Sequence, residues 1–138
     1  MAEKPMTILM FDKDKDAIGT FQFFAEFNNY QLLHTINIKE ALTWCEQKDV
    51  DVVLVDMLIH EQGLDKEPLG FVFFKALREN SKIKDILVII LSGMSTLENH
   101  QKAKNLKAAD FIHKNTRPFE ELLKRIKEIV AEYQKKKK

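Results

Sequence analysis

The chain has 138 residues, of which 45% are hydrophobic and 31% charged, so it is long enough for one substantial core and has the composition of a globular protein. Its 22 basic and 21 acidic residues nearly balance, and bulk charge therefore gives no reason to expect nucleic acid or a membrane surface as a partner. One cysteine, Cys45, excludes an internal disulfide, and no apolar stretch approaches ~20 residues, so we expect a cytoplasmic protein.

Five short apolar runs alternate with five helical patterns along the chain. Most of the runs lack polar alternation, which is typical of strands buried on both faces. The predicted strands, in chain order, lie at residues 6–11, 30–35, 51–56, 86–91 and 109–114. The predicted helices span about residues 16–28, 37–48, 69–80, 95–107 and 119–133. This alternation predicts a parallel α/β sheet with helices on both faces.

Two of the predicted helices begin with the residue spacing of a capping box. Asn37 is followed by Glu40, and Ser95 by Glu98, so the first member of each pair is expected to cap the helix N-terminus. No repeat, linker or domain boundary is visible. We therefore expect one domain, with its core at about residues 5–133 and a lysine-rich tail at 134–138.

Four of the predicted strands end in a residue with reactive or charged chemistry. Asp12, Asp56, Ser92 and Lys114 follow the first, third, fourth and fifth strands. In a parallel sheet these ends share one edge, where α/β proteins bind their ligands. Clustered carboxylates suit a hard cation such as Mg²⁺, a serine hydroxyl and a lysine ammonium suit phosphoryl oxygens, and an aspartate can itself accept a phosphoryl group. The pattern predicts that an acyl phosphate forms on an aspartate at this edge.

With these residues in place, the sequence resembles the receiver domain of two-component response regulators over nearly its whole length. The segments that carry the resemblance are ILMFD at 8–12, DVVLVD at 51–56, VIILSG at 88–93 and ADFIHK at 109–114. The resemblance implies a flavodoxin-like (βα)5 doubly wound parallel sheet with strand order 2-1-3-4-5. It also implies that Asp56 is the phosphoacceptor, that Ser92 and Lys114 bind the phosphoryl group, and that Phe111 is the aromatic switch residue.

The resemblance further implies a Mg²⁺ ion held by Asp12, Asp56 and the backbone carbonyl of Leu58, with Asp14 as an alternative ligand. Lys13 stands where the family has a second acid that binds the metal directly. A unit-charge interaction at ~4 Å and an effective dielectric of ~20 is worth about 4 kcal/mol, so we expect Lys13 to lower the affinity for Mg²⁺. Lys13 is alternatively a built-in cation that pairs with Asp12 and Asp56.

The implied partners are a histidine kinase or phosphotransfer protein as the phosphate donor, a downstream protein target, and a second copy bound through the last two helices. No DNA-binding or catalytic segment follows the last predicted helix, so we expect signalling by regulated protein contact and no enzymatic turnover beyond self-phosphorylation and self-dephosphorylation. The connection 57–69 is longer than in the family, because Gly70 lies further from Asp56 than the corresponding family glycine. This extension is either functional or a tolerated insertion.

Two other functions remain open at the level of sequence. A degenerate receiver would bind partners without phosphorylation; Lys13 favours it, and the apolar cluster 71–74 is then either a contact surface or part of the core. A haloacid-dehalogenase-like phosphohydrolase would use Asp12 as nucleophile and Asp14 as acid/base. No strand ending in an acidic pair follows Lys114, which disfavours the phosphohydrolase.

Overall fold

The computed structural model describes residues 4–57, 59, 67–93, 96–114 and 116–137, and these form five strands and five helices in strict alternation. The strands are β1 (Met6–Phe11), β2 (Tyr30–Thr35), β3 (Val52–Val55), β4 (Val88–Ser92) and β5 (Asp110–His113). The helices are α1 (Lys15–Asn28), α2 (Ile38–Gln47), α3 (Leu69–Glu79), α4 (Leu97–Asn105) and α5 (Phe119–Lys137). None of these helices, as far as it is described, is long and apolar enough to cross a membrane.

The five strands form one parallel sheet in the order β2-β1-β3-β4-β5, which confirms the predicted fold and strand order. Both faces of the sheet are buried, and alternate residues of a strand enter different cores. In β1, Ile8 and Met10 pack in the core that includes Phe21 of α1, whereas Leu9 and Phe11 pack in the core on the opposite face. This two-sided burial explains why the strands read as apolar runs.

The strand order reverses between β1 and β3. The chain moves outward from β1 to β2 and then returns to place β3 on the other side of β1. Ligand sites in open α/β sheets lie outside the carboxyl ends of the strands at such a reversal. Asp12 and Asp56 follow β1 and β3 directly and therefore stand at this point.

Side-chain caps fix where three of the helices begin. Asn37 Oδ1 accepts a hydrogen bond from the Glu40 backbone at 2.8 Å, as predicted for α2. The N-cap of α4 is Thr96, whose Oγ1 accepts from the Asn99 backbone at 3.1 Å. The prediction of a capping box based on Ser95 was therefore wrong by one residue, because the extended backbone of Thr96 places its own hydroxyl over the first turn. Ser95 itself lies outside the described residues.

The aromatic cluster of α3 belongs mainly to the core. Phe73 and Phe74 are fully buried, and the Phe73 ring stacks on Phe11 with 4.2 Å between centroids. Phe71 is partly buried against the same core, and only Val72 faces solvent. The core interpretation of residues 71–74 is therefore the one that the structure favours over a contact surface.

Two aromatic side chains of α1 remain outside the core. Phe23 and Phe27 are 64% and 71% exposed, and their rings contact each other with 5.7 Å between centroids. They lie one turn apart on the outer face of the helix, whereas Phe21 on the inner face is buried. The fold therefore leaves α1 with an apolar surface that its own core does not use.

Candidate functional site

Asp12 is the most buried acidic group at the reversal point. Its residue is 3% exposed, and Oδ1 accepts a hydrogen bond from the Asp14 backbone at 2.9 Å. Oδ2 lies 2.7 Å from Lys114 Nζ in an ion pair, but it has no partner in hydrogen-bond geometry among the described residues. Burial raises the pKa of Asp12, and this effect outweighs the opposing influence of the Lys114 ammonium.

Lys114 is the cation on which the carboxylates converge. Its Nζ lies 2.7 Å from Asp12, 3.2 Å from Asp56 and 3.4 Å from Asp14, and its side chain is only 8% exposed. Its backbone amide donates to the Ser92 carbonyl at 2.7 Å, which fixes where β5 ends. Burial alone would lower the pKa of Lys114, but Asp12 and Asp56 overcome burial and raise it. The charged ammonium is therefore an integral part of the site.

A hydrogen bond fixes the backbone of Asp56, and its carboxylate is partly exposed to solvent. Its amide donates to the Phe11 carbonyl at 3.0 Å, and its side chain is 16% exposed. The first turn of α3 packs directly on this peptide unit, because a Cβ added to Gly70 would lie 1.9 Å from the Asp56 carbonyl oxygen. Gly70 thus allows α3 to approach the candidate phosphoacceptor more closely than any other residue would.

Asp14 lies closer to the site than its position in the sequence suggests. It is the N-cap of α1, and its Oδ1 accepts from the backbones of Asp16 and Ala17, while Oδ2 faces Lys114. Burial would raise the pKa of Asp14, but the hydrogen bond from Ala17 and the Lys114 charge lower it. Asp14 therefore adds a third carboxylate to the site, and its lowered pKa favours the charged form of that group.

Lys13 is not part of this arrangement of charges. Its residue is exposed and forms no ion pair with Asp12 or Asp56. The structure therefore does not support Lys13 as the built-in cation, because Lys114 is the residue that pairs with Asp12 and Asp56. An exposed lysine on the neighbouring position still adds positive charge at the rim of the site.

Ser92 and Phe111 lie on β4 and β5, the two strands beyond β3 in the sheet. Ser92 is 1% exposed at the end of β4, where it is paired with His113 in the ladder. Phe111 is half-buried on β5, and the ring of His100 in α4 stacks on it with 3.9 Å between centroids. The sequence analysis missed this contact, and the alternation of side chains along β5, which puts residues 111 and 113 on one face, is the signal that could have indicated it.

The residues at the site fit a hard divalent cation by their chemistry. Asp12, Asp14 and Asp56 supply carboxylate oxygens, and Asp12 Oδ2 is a buried acceptor whose hydrogen-bonding capacity is unused among the described residues. In the conformation of the described residues these oxygens surround the Lys114 ammonium, and no three metal-ligating side chains are arranged to hold an ion. Leu58, whose carbonyl is the other expected ligand, lies outside the described residues.

Three groups with chemistry suited to a phosphoryl group meet at this edge of the sheet. A carboxylate nucleophile, a buried hydroxyl and an ammonium lie at the ends of β3, β4 and β5. The ammonium is held within reach of Asp56 and is matched in charge to phosphoryl oxygens. The site therefore brings a carboxylate, a hydroxyl and an ammonium to the same edge of the sheet.

Comparisons with known proteins identify the family of the chain. The family model described as the response regulator receiver domain matches residues 8–127. The heme response regulator HssR of Staphylococcus epidermidis is 32% identical over 129 residues, covering 91% of this chain and 52% of the relative. The chemotaxis protein CheV1 of Helicobacter pylori is 26% identical over 123 residues, covering 88% of this chain and 38% of the relative. The chain thus spans about half the length, or less, of these relatives.

A solved structure supports the fold independently. The CheY-like receiver domain protein of Methanospirillum hungatei superposes with a TM-score of 0.76, covering 96% of this chain and 98% of that one, at 24% identity. At this identity the likeness concerns the fold, not the chemistry of the site. The superposition covers nearly all of this chain, in which five parallel strands alternate with helices.

Proposed function

The chain belongs to the response regulator receiver domain family, and from that premise we propose that it accepts a phosphoryl group on Asp56 and signals through phosphorylation-dependent contact with another protein. The observation that carries this proposal is the Lys114 ammonium, which lies 2.7 Å from Asp12 and 3.2 Å from Asp56. Response regulators interact with histidine kinases and downstream targets. A histidine kinase or phosphotransfer protein is the donor we propose for this chain, and the face of α4 and α5 is the surface proposed for its target or a second copy.

The proposed transfer moves one phosphoryl group from a histidine nitrogen to an aspartate oxygen. An Asp56 Oδ attacks phosphorus, the P–N bond breaks, and the donor imidazole leaves with the bonding electron pair. Lys114 turns from the carboxylates towards the incoming oxygens, and the Ser92 hydroxyl donates a hydrogen bond to another of them. Mg²⁺, held by Asp12 and Asp56 with Asp14 nearby, would offset the remaining negative charge when bound.

Intact-mass measurement tests the proposal. We expect the wild-type chain, incubated with acetyl phosphate and Mg²⁺, to gain one phosphate, and Asp56→Asn to gain none because the amide is not a nucleophile for this transfer. Asp51→Asn is the matched control: Asp51 stands before the same strand and uses its carboxylate to accept a hydrogen bond from the Thr7 backbone. The control should still be phosphorylated, and a modified Asp56→Asn chain would refute the assignment.

The affinity for Mg²⁺ tests the interpretation of Lys13. We expect Lys13→Asp to bind Mg²⁺ about tenfold more tightly, because the change replaces a repulsive charge by a hard oxygen ligand, although solvent screens an exposed position. Lys15→Asp makes the same change of charge two residues further on, in the first turn of α1, and should have a smaller effect. Calorimetric titration with MgCl₂ measures both, and equal effects would mean that only the general charge matters.

A degenerate receiver is the second candidate function. It is favoured by Lys13, by the lysine-centred carboxylates, and by the lack of a preformed metal group among the described residues. In that case the Lys114 pairs would hold one permanent conformation for partner binding. No mass gain with acetyl phosphate, carbamoyl phosphate or a phosphorylated cognate kinase would favour this second function over the first.

A further inference from the structure

An aromatic stack joins α4 to β5 beside the site. The ring of His100 lies on the ring of Phe111 with 3.9 Å between centroids and an interplanar angle of 17°. His113 approaches the same pair, at 5.9 Å from Phe111 and 6.2 Å from His100. Phe111 and His113 are two residues apart on β5, so both face α4, while Ile112 between them enters the opposite core.

The stack is a substantial part of what attaches the first half of α4 to the sheet. Ala103 is the only buried residue of this helix, and Leu97 at its start is 80% exposed. His100 lies between them, and its amide donates to the Thr96 carbonyl at 3.0 Å in the first turn. A helix with so little apolar surface against the sheet depends strongly on a ring that packs flat on its neighbour.

Strand pairing connects the same stack to the proposed phosphoryl site. Phe111 is paired with Ile90 in the ladder, and Ser92 at the end of β4 is paired with His113. Ser92 in turn precedes the connection to Thr96, which caps α4. A shift of Ser92 towards a phosphoryl oxygen would therefore move the end of β4 relative to the helix that carries His100.

We propose that His100 is a positioning residue that holds Phe111 against α4 in the unphosphorylated chain and thereby opposes phosphorylation at Asp56. The inference rests on the proposed function and concerns its regulation. Phe111 cannot rotate away while a ring lies flat on it at 3.9 Å, so its movement requires this stack to break. The free energy of the stack therefore adds to the barrier of any step in which Phe111 moves, and its removal should raise the rate of phosphorylation.

The test compares His100→Ala, which removes the stack, with His100→Phe, which retains a flat ring. We expect His100→Ala to be phosphorylated by acetyl phosphate about two- to tenfold faster than wild type, the range expected for loss of one aromatic pair. His100→Phe should keep the wild-type rate. His34→Ala is the control, because His34 is an exposed residue of β2 whose side chain contacts Gln22 and lies on the strand at the opposite edge of the sheet from β5.

The outcomes separate this inference from the function on which it rests. A wild-type chain that takes up no phosphate overturns both. A wild-type chain phosphorylated on Asp56, with His100→Ala at the same rate, overturns the positioning role alone. A lower unfolding midpoint of His100→Ala without a change in rate would likewise show that the stack is only structural, and an accelerated His100→Phe would contradict the role of the flat ring.

Discussion

Gly70→Ala is expected to destabilise the folded chain by about 3 kcal/mol, at the upper end of overpacking effects. The new Cβ would lie 1.9 Å from the Asp56 carbonyl oxygen and 2.7 Å from the Met57 Cα, and both are backbone atoms that cannot turn aside. Either α3 must move away from the sheet or the Asp56 peptide must shift. We therefore expect phosphate uptake from acetyl phosphate to fall together with the urea midpoint of unfolding.

Gly19→Ala provides the matched control. Gly19 also lies inside a helix, but a Cβ added there meets no atom within 4 Å. Alanine should stabilise α1 by roughly 0.5–1 kcal/mol, because it lowers the backbone entropy of the unfolded chain. If the two alanine variants changed the midpoint in the same direction, the close contact between α3 and Asp56 would be wrong.

The positions of the strands could be predicted well because both faces of the sheet are buried. The bounds of β1 and β2 match the predicted ranges 6–11 and 30–35. The fourth strand was predicted at 86–91 but spans Val88–Ser92. The apolar run begins at Ile86, whose carbonyl accepts a hydrogen bond from the Arg78 guanidinium rather than from a strand. Hydrophobicity marks the buried segment, whereas ladder bonds decide where a strand begins.

The convergence of Asp12, Asp56 and Lys114 could also be predicted, since it follows from the parallel order of the strands. The place of Asp14 could not, because it depends on how α1 begins: the capping geometry turns its second oxygen towards Lys114. The stack of His100 on Phe111 likewise depends on the packing of α4, which has almost no apolar pattern of its own. The sequence indicates clearly where strands end, but it gives almost no indication of which face a polar helix turns towards the sheet.

Lys114→Met is expected to cost about 3 kcal/mol of stability at neutral pH, because removing one partner leaves a buried charge uncompensated. Asp12 is almost fully buried, and it would lose the ammonium that lies 2.7 Å from its Oδ2. Asp56 and Asp14 are more exposed, so solvent reduces their share of the effect. Lys4→Met is the control, since it breaks a 2.6 Å ion pair with Asp49 that is exposed on both sides and should change stability little.

The dependence of this cost on pH distinguishes charge from packing. Burial raises the pKa of Asp12 above its ordinary value in the native chain, so the stability linked to its protonation is present at low pH and is lost as the pH rises through the raised pKa. Loss of Lys114 would raise this pKa further. The deficit of Lys114→Met should therefore be largest at neutral pH and shrink as the pH falls and Asp12 takes up a proton.

The loss of the interaction between Asp14 and Lys114 also makes the stability deficit of Lys114→Met larger at neutral pH than at acidic pH. The Lys114 charge helps to lower the pKa of Asp14, and a lowered pKa contributes stability above the ordinary value that is lost as the pH falls. Lys114→Met therefore loses the stability contributed by Asp14 mainly at neutral pH.

Adding Asp12→Asn to Lys114→Met should restore part of the lost stability, because the buried charge is then gone. A deficit that is constant from acidic to neutral pH and unaffected by Asp12→Asn would mean that Lys114 supports the fold through its aliphatic chain rather than through its charge.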